Sequence, residues 1–155
     1  MIFLAKLTRD NFETYQKEIV SIERRSFPSP WSSEAFSAEV DRPISHLWMA
    51  QMNGEVVGYI CFWLVAQEIH LMNFAVHPVW RRNGVGRKLM GKALDTGRSA
   101  GAQAVSLEVR PSNTEARAFY RDLGFTVIGR RPRYYDDTNE DAIIMAIPLI
   151  TEPSD

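Results

Sequence analysis

Residues 71–87 read LMNFAVHPVWRRNGVGR, and this segment decides the fold. Its first six residues form an almost unbroken apolar run, which predicts a strand buried on both faces. His77-Pro78 ends the strand, because proline removes a ladder donor and restricts the residue before it. From Val85 onward, apolar residues recur at helical spacing with charged residues on the opposite side, as in an amphipathic helix. The segment therefore predicts a strand, a glycine-containing loop and a helix.

The loop has the features of an anion-binding site. Gly84 and Gly86 let the backbone come close to a ligand, and the free N–H groups at a helix start attract anions. Neighbouring arginines add positive charge. We expect a cradle for a pyrophosphate group, and the alternative is an ordinary strand–loop–helix turn.

Two common phosphate motifs fit this loop poorly. A P-loop ends in Gly-Lys-Ser/Thr, whereas this loop continues as Gly86-Arg87-Lys88. A dinucleotide fingerprint is closer, since Gly84-x-Gly86 opens a helix and Glu108 follows on the next strand at roughly the expected distance. However, Leu89 occupies the position of the third small residue, and the glycines come several residues after the strand ends.

Composition sets the broad class of the protein. The net charge of −1 argues against holding nucleic acid by bulk electrostatics. Cys61 is the only cysteine, which excludes an internal disulfide and suits the cytoplasm. The apolar start Met1–Ala5 is too short for a signal peptide or a membrane span. We expect one cytoplasmic domain, residues 1–150, followed by a polar tail at 151–155, with no membrane or direct nucleic-acid partner.

Turn and cap signals along the chain predict an α/β protein. Asn53-Gly54 between two apolar runs predicts a hairpin. Helices are expected to begin at Asp10, at Ser32 or Ser33, and at a capping box formed by Ser112–Glu115. Phe125–Gly129 and Ala142–Pro148 read as a final pair of strands. The predicted order is β-α-α-β-β-β-α-β-α-β-β.

Glu108 is the first candidate for chemistry. In the strand Ala104–Val109 it lies on the face opposite Val105, Leu107 and Val109. Burial of a carboxylate in a central strand costs free energy unless the group is paired with a cation or serves in catalysis. Burial also raises the pKa of a carboxyl group, which makes it a better base near neutral pH. The alternative is a structural ion pair with Arg110 or Arg117.

Other polar residues are weaker candidates on pattern alone. Tyr120 lies on the apolar stripe of its helix, where a phenol more often only packs. Asn113 is most simply a capping or turn residue. The three histidines show no metal-ligand spacing. Cys61 lies within an apolar strand and reads as a small core residue.

Successive motifs together resemble the GNAT acyltransferases. The loop matches their Arg-x-x-Gly-x-Gly without a gap, and Pro-Trp-Ser at residues 30–32 and Arg-Tyr-Tyr at 133–135 narrow the likeness to the RimI type, the ribosomal-protein-alanine N-acetyltransferases. The likeness extends to about Leu149. The further matching segments are Asn73–Pro78, Leu107–Asn113, Ala118–Phe125 and Glu140–Met145.

The resemblance implies a fold and a set of roles. The fold would be α/β, with a mixed, mostly antiparallel sheet, helices on both faces and a central splay that admits acetyl-CoA. Glu108 would be the proton acceptor and Tyr120 the proton donor, without a metal. The residues implied in binding acetyl-CoA are Phe74, Ala75 and Val76 along the pantetheine arm, Arg82, Asn83, Gly84, Val85, Gly86 and Arg87 at the pyrophosphate, and Asn113.

The implied reaction is transfer of an acetyl group to the N-terminal α-amine of a protein, with alanine first and a ribosomal protein as the expected partner. Two alternatives remain open. One is a GNAT enzyme that acts on a lysine, a polyamine or a small-molecule amine. The other is a non-catalytic acyl-CoA-binding module, which the presence of both Glu108 and Tyr120 disfavours.

One segment departs from the family pattern. Residues 136–139 read DDTN where the family usually has a proline and a longer loop. With Glu140 and Asp141 they form an acidic run. Its carboxylates are either a solvated turn or a surface that attracts a basic residue of the acceptor.

Overall fold

The computed structural model describes residues 1–149, so the tail expected at 151–155 lies outside the described residues. The elements follow the predicted order. Five strands and the first three helices run from the start of the chain as β1 (Phe3–Lys6), α1 (Phe12–Ser26), α2 (Ser33–Asp41), β2 (Ser45–Met52), β3 (Glu55–Val65), β4 (Glu68–Val76), α3 (Val85–Ser99) and β5 (Ala104–Val109). A fourth helix and two strands complete the sheet as α4 (Thr114–Leu123), β6 (Thr126–Arg131) and β7 (Ala142–Pro148).

All seven strands form one sheet in the order β1-β2-β3-β4-β5-β7-β6. Every neighbouring pair is antiparallel except β4 and β5, which are parallel. The expected hairpin joins β2 and β3 through Asn53 and Gly54, both at positive φ. The mixed, mostly antiparallel α/β fold is thereby confirmed.

Two apolar clusters cover the two faces of the sheet. One packs α3 and α4 onto it and includes Val85, Leu89, Ala93, Val105 and Leu107. The other packs α1 and α2 onto the opposite face and includes Phe12, Ile19, Phe36 and Tyr59. The apolar stripe expected for α3 faces the first of these clusters. Cys61 is buried in the second cluster, as expected.

A β-bulge divides β4 into two halves. Phe62 of β3 pairs with Leu71 while Cys61 pairs with Asn73, so Met72 is the extra residue. Leu71 packs in the α3–α4 cluster, Met72 and Ala75 pack in the α1–α2 cluster, and Phe74 returns to the first. The strict alternation of a strand is therefore shifted by one residue at Met72.

Two of the three predicted helix starts need correction in detail. Asn11, not Asp10, precedes α1, and its Oδ1 accepts from Thr8 N–H instead of capping the helix. Ser32 caps α2, which decides between the two serines proposed. Asn113 caps α4 by accepting from Ala116 N–H, so the capping box at Ser112 does not form.

Candidate active site

The parallel strands β4 and β5 separate soon after they meet. Their register covers only Glu68–Ala104, Ile69–Val105 and His70–Ser106. Beyond this point, Phe74 N–H donates to the Oδ1 of Asn73, and the Val76 carbonyl accepts from Arg81 Nε at 3.1 Å. N–H groups alternate in direction along a strand, and that of His77 donates to Val57 of β3. The N–H of Val76 therefore faces the opening between β4 and β5, which is the expected splay.

The loop at residues 81–87 carries the backbone geometry of an anion site. Arg82 and Gly84 both have positive φ, 66° and 83°, and Gly84 is the N-cap of α3 without a side-chain capping bond. Asn83 Nδ2 stabilises the turn by donating to the carbonyls of Trp80 and Arg81 at 3.1 Å. Arg82 and Arg87 are exposed. A 15-residue helix thus begins at an exposed basic loop with its first N–H groups free of side-chain caps.

The two glycines serve different purposes. A Cβ on Gly84 would meet nothing within 4 Å, so its requirement is the left-handed backbone. A Cβ on Gly86 would lie 3.2 Å from the ring of Phe119 and 3.3 Å from the ring of Phe74. Glycine at position 86 thus lets α3 approach these two rings, and the expected approach of a ligand to both glycines stays a prediction.

Glu108 has a partner that the sequence did not suggest. Its Oε2 lies 2.5 Å from Nε2 of His70, and neither Arg110 nor Arg117 pairs with it. The Glu108 side chain is only 12% exposed, whereas that of His70 is 38% exposed. The parallel register sets His70 opposite Ser106, and Ser106 shares a face with Glu108. The parallel pairing of β4 with β5 was therefore the feature that would have identified His70 as the partner of Glu108.

Tyr120 lies on α4 at the other side of the splay. It is 7% exposed and packs against Phe74, Phe119 and Phe125, with ring centroids 5.7–6.4 Å away. Burial raises the pKa of its phenol, with a smaller contribution from Tyr135, so the group stays protonated at neutral pH. Tyr120 belongs to the α3–α4 cluster, while Glu108 lies on the opposite face of the sheet.

The segment between β6 and β7 is tied to the end of β5. Arg110 donates to both carboxylate oxygens of Asp137 at 2.8 Å, and Ser29 of the α1–α2 connection donates to the same carboxylate at 2.9 Å. We call Ser29, Arg110 and Asp137 the clasp. The hydrogen bond from Arg110 lowers the pKa of Asp137 to about 2. Arg110 also stacks over the ring of Tyr135 at 4.0 Å.

The other acidic residues of this segment are largely occupied as well. Glu140 accepts from the hydroxyl and N–H of Ser112, and Asp141 accepts from Arg130 and from Arg133 N–H. Within residues 1–149, Asp136 alone of the four acids has no such partner. The carboxylates of Asp137, Glu140 and Asp141 therefore hold the segment in place, and attraction of a basic acceptor residue stays a prediction.

A buried carboxylate on the α1–α2 side was missed. Glu23 is 1% exposed and accepts from the hydroxyl of Tyr59, from Asn73 Nδ2 at 2.7 Å and from Trp31 N–H at 2.9 Å. The Glu23 carboxylate therefore links α1, the α1–α2 connection and β4 on the α1–α2 side of the sheet. Its position four residues after Ile19 on the buried stripe of α1 was a signal for burial, but two of its three partners are 36 and 50 residues away.

Two further surveys cover residues 1–149. None of the helices there combines the length and apolar character needed to cross a membrane. That part of the chain also contains no group of three or more His, Cys, Asp and Glu side chains arranged to hold a metal ion.

Known proteins are similar to this chain in sequence and in fold. Residues 17–125 match the family described as Acetyltransferase (GNAT) family. The ribosomal protein bS18-alanine N-acetyltransferase of Escherichia coli strain K12 is 37% identical over 130 residues, which cover 83% of this chain and 87% of that protein.

Solved structures give the same result for the fold. The crystal structure of the ribosomal-protein-S18-alanine N-acetyltransferase from Escherichia coli has a TM-score of 0.85 at 32% identity and covers 99% of this chain and 97% of its own. Arabidopsis thaliana NAA60 in complex with acetyl-CoA has a TM-score of 0.82 at 17% identity, covering 96% and 99%, and it shares the fold. With more than half of its length matched by the family and a relative above one third identity, this chain belongs to the acetyltransferase (GNAT) family.

Proposed function

We propose that the protein transfers the acetyl group of acetyl-CoA to the N-terminal α-amine of a ribosomal protein that begins with alanine, with bS18 as the first candidate. The names of the Escherichia coli relatives, which align over most of both chains, support this substrate class. The observation that carries the proposal is the splay, which leaves the edge of Phe74–Val76 open between Glu108 on one face and Tyr120 on the other. We propose the cytoplasm, where such an acceptor is made, as the location.

The residues of the splay fit acetyl-CoA as a co-substrate. The start of α3 and the loop Arg82–Arg87 would hold the pyrophosphate, since both present positive charge or free N–H groups. The open edge of Phe74, Ala75 and Val76 would bond along the pantetheine arm. Asn113 would contact the co-substrate from the start of α4, although its Oδ1 already caps that helix.

Glu108 and Tyr120 lie on opposite faces of the sheet, and each would serve one of two proton transfers. An α-amine has a pKa of roughly 7.7–8.0, so much of it is protonated near neutral pH and cannot attack. Glu108 would take that proton, after which the amine nitrogen bonds to the thioester carbonyl carbon. A backbone N–H of the open edge, such as that of Val76, would stabilise the oxyanion. The C–S bond then breaks, Tyr120 would give its proton to the sulfur, and the attacking nitrogen would lose its second proton to the resulting phenolate.

An acceptor panel tests the proposal. The purified protein is given acetyl-CoA and a peptide with the sequence of the bS18 N-terminus, either with a free α-amine or with that amine blocked, and both peptides contain lysine. We expect one acetyl group on the free peptide only, with release of one equivalent of thiol. Acetylation of the blocked peptide would move the activity to lysine, and an absence of thiol release with every acceptor would point to a binding module.

A further inference from the structure

Glu23 holds three hydrogen-bond donors with its two carboxylate oxygens. Oε1 accepts from the hydroxyl of Tyr59 and from Nδ2 of Asn73, whereas Oε2 accepts from the N–H of Trp31. This pattern fits a carboxylate, which accepts at both oxygens. Within residues 1–149, no cationic side chain forms an ion pair with the group, although it is 1% exposed. The burial of Glu23 therefore depends on these three bonds.

The bond from Trp31 N–H to Glu23 Oε2, which we call the tether, fixes the α1–α2 connection, residues 27–32, from the inside of the protein. Both prolines that precede Trp31 in this connection lack an N–H group. Two residues before Trp31, the hydroxyl of Ser29 donates to Asp137 of the clasp. The connection is therefore held at one point by a buried carboxylate and at a second point by the clasp.

The clasp brings this connection close to Glu108. Arg110, which holds Asp137, follows Glu108 by two residues at the end of β5. Glu108 lies on the sheet face that α1 and α2 cover, and the connection lies over that face as well, since the ring of Trp31 packs against Phe36 with centroids 5.2 Å apart. An acceptor amine at Glu108 would therefore have the connection beside it.

On the sheet side, Glu23 fixes the side chain of Asn73. That side chain donates from Nδ2 to Glu23 at 2.7 Å, and its Oδ1 accepts from Phe74 N–H at 2.9 Å. Asn73 is itself buried, at 8% exposure. Both ends of the amide are thus engaged directly before the open edge of Phe74–Val76. Through Asn73, Glu23 ties the α1–α2 connection to β4, the strand that would bond along acetyl-CoA.

We propose that Glu23 is a positioning residue that holds the α1–α2 connection in place relative to β4 and thereby sets the affinity for the acceptor N-terminus. This inference rests on the proposed function. Because Glu23 is buried, it would act through the tether and not by touching a substrate. A connection without the tether would adopt several positions, and the acceptor would have to order it on binding. The loss would therefore appear in KM for the peptide and not in the affinity for acetyl-CoA.

Two substitutions separate the tether from the stability of the buried network. In Glu23→Gln only one oxygen accepts, and the two donors at Oε1 favour that oxygen there, so the amide nitrogen would face Trp31 N–H and break the tether. Tyr59→Phe is the matched control, because it removes a donor from Oε1 and leaves the tether in place. Both substitutions remove one bond to the same carboxylate, so both should lower Tm.

Steady-state kinetics with the bS18 peptide and calorimetry with acetyl-CoA make the comparison. We expect Glu23→Gln to raise KM for the peptide about three- to ten-fold, the effect of one lost hydrogen bond, with kcat and acetyl-CoA affinity unchanged. Tyr59→Phe should keep the wild-type KM for the peptide. An increase in Glu23→Gln alone supports the inference.

The other outcomes distinguish this inference from the function on which it rests. A wild-type peptide KM in folded Glu23→Gln, or equal increases in both variants, overturns the inference and leaves the function standing. A loss of acetyl-CoA affinity as large as the change in peptide KM likewise overturns it. If the wild-type protein does not acetylate the α-amine, the proposed function fails and the inference fails with it.

A second variant makes the test if Glu23→Gln does not fold. An ester in place of the Trp31 amide, introduced with the α-hydroxy analogue of tryptophan, removes the N–H of the tether and keeps every side chain. The same increase in peptide KM, about three- to ten-fold, is expected of this protein. An unchanged KM would overturn the inference.

Discussion

The two ends of the splay are built in different ways. At the co-substrate end, the loop at residues 81–87 is made by neighbours in sequence, since its side-chain hydrogen bonds join residues two to five positions apart. At the proposed acceptor end, the clasp joins Arg110 to Asp137 and Ser29 to Asp137, across 27 and 108 positions. Local sequence therefore determines the proposed phosphate loop, whereas the proposed acceptor end depends on the assembled fold.

The largest expected effect lies between the two ends. Glu108→Gln should lower turnover by about 10²–10⁴-fold, the usual range for a general base, while acetyl-CoA affinity is kept. The deficit should shrink as the pH rises from 6 to 9, because more of the acceptor amine is then neutral. Rate–pH profiles of the two proteins test this prediction. A defect of the same size at every pH would make Glu108 a structural residue.

At the co-substrate end, Gly84→Ala should weaken acetyl-CoA binding about five- to thirty-fold. The left-handed backbone conformation costs a residue other than glycine roughly 1–2 kcal/mol. A Cβ on Gly84 would meet no atom within 4 Å, so a loss of affinity would report this backbone strain and not a clash. Gly91→Ala is the matched control, since Gly91 also has open space for a Cβ but lies inside α3. Calorimetry on both variants gives the comparison. Equal affinities would leave the loop as an ordinary turn.

At the acceptor end, Asp137→Asn should raise KM for the peptide by up to about five-fold, the limit for a partly exposed ion pair, without changing acetyl-CoA affinity. Asp136→Asn is the control, because Asp136 has no partner within residues 1–149. Steady-state kinetics with each substrate varied in turn makes the measurement. A change in acetyl-CoA affinity of the same size would show that the two ends are not separate.

The clasp also predicts a pH dependence of stability. Arg110 lowers the pKa of Asp137 from 3.8 to about 2, so its contribution is complete above pH 4–5 and disappears as the pH falls through 2. Acid unfolding followed by circular dichroism should therefore show a smaller loss of stability between pH 5 and 2 in Asp137→Asn than in the wild-type protein. Identical acid sensitivity would mean that the pair contributes nothing.

The smallest effect concerns acceptor charge. An acidic run free to attract a basic residue would make peptides that begin Ala-Arg react ten-fold or more faster than those that begin Ala-Glu at low salt. Because three of the four acids are already bonded, we expect a ratio below about five-fold, as for a single exposed charge pair. Initial rates at low and high salt test it. A ten-fold preference for the Ala-Arg peptide that Asp136→Asn abolishes would show that the acidic run binds the acceptor directly.

The same contrast explains how much the sequence predicted. The order of elements, the hairpin at Asn53-Gly54 and the α3 stripe follow from patterns within about fifteen residues, and all are confirmed. The pairing of His70 with Glu108 and the contacts of Glu23 with Tyr59 and Asn73 depend on strand register and on helix packing, which no local pattern contains. Asn113 illustrates the intermediate case, since its capping role was visible locally while its contact with acetyl-CoA stays a prediction.

The bulge at Met72 has a consequence for how β4 tolerates changes in length. The half before it presents Leu71 to the α3–α4 layer, and the half after it presents Phe74 to that same layer, so one extra residue resets the phase of the strand. Deletion of Met72 alone would remove the bulge and leave simple alternation, with Phe74 and Ala75 still on their present faces. Closing the bulge without a deletion would instead exchange the two environments, so that the ring of Phe74 would leave Phe119. The strand is therefore expected to tolerate the loss of one residue at the bulge, whereas the loss of a residue elsewhere in β4 would shift the alternation unless the bulge moved to compensate.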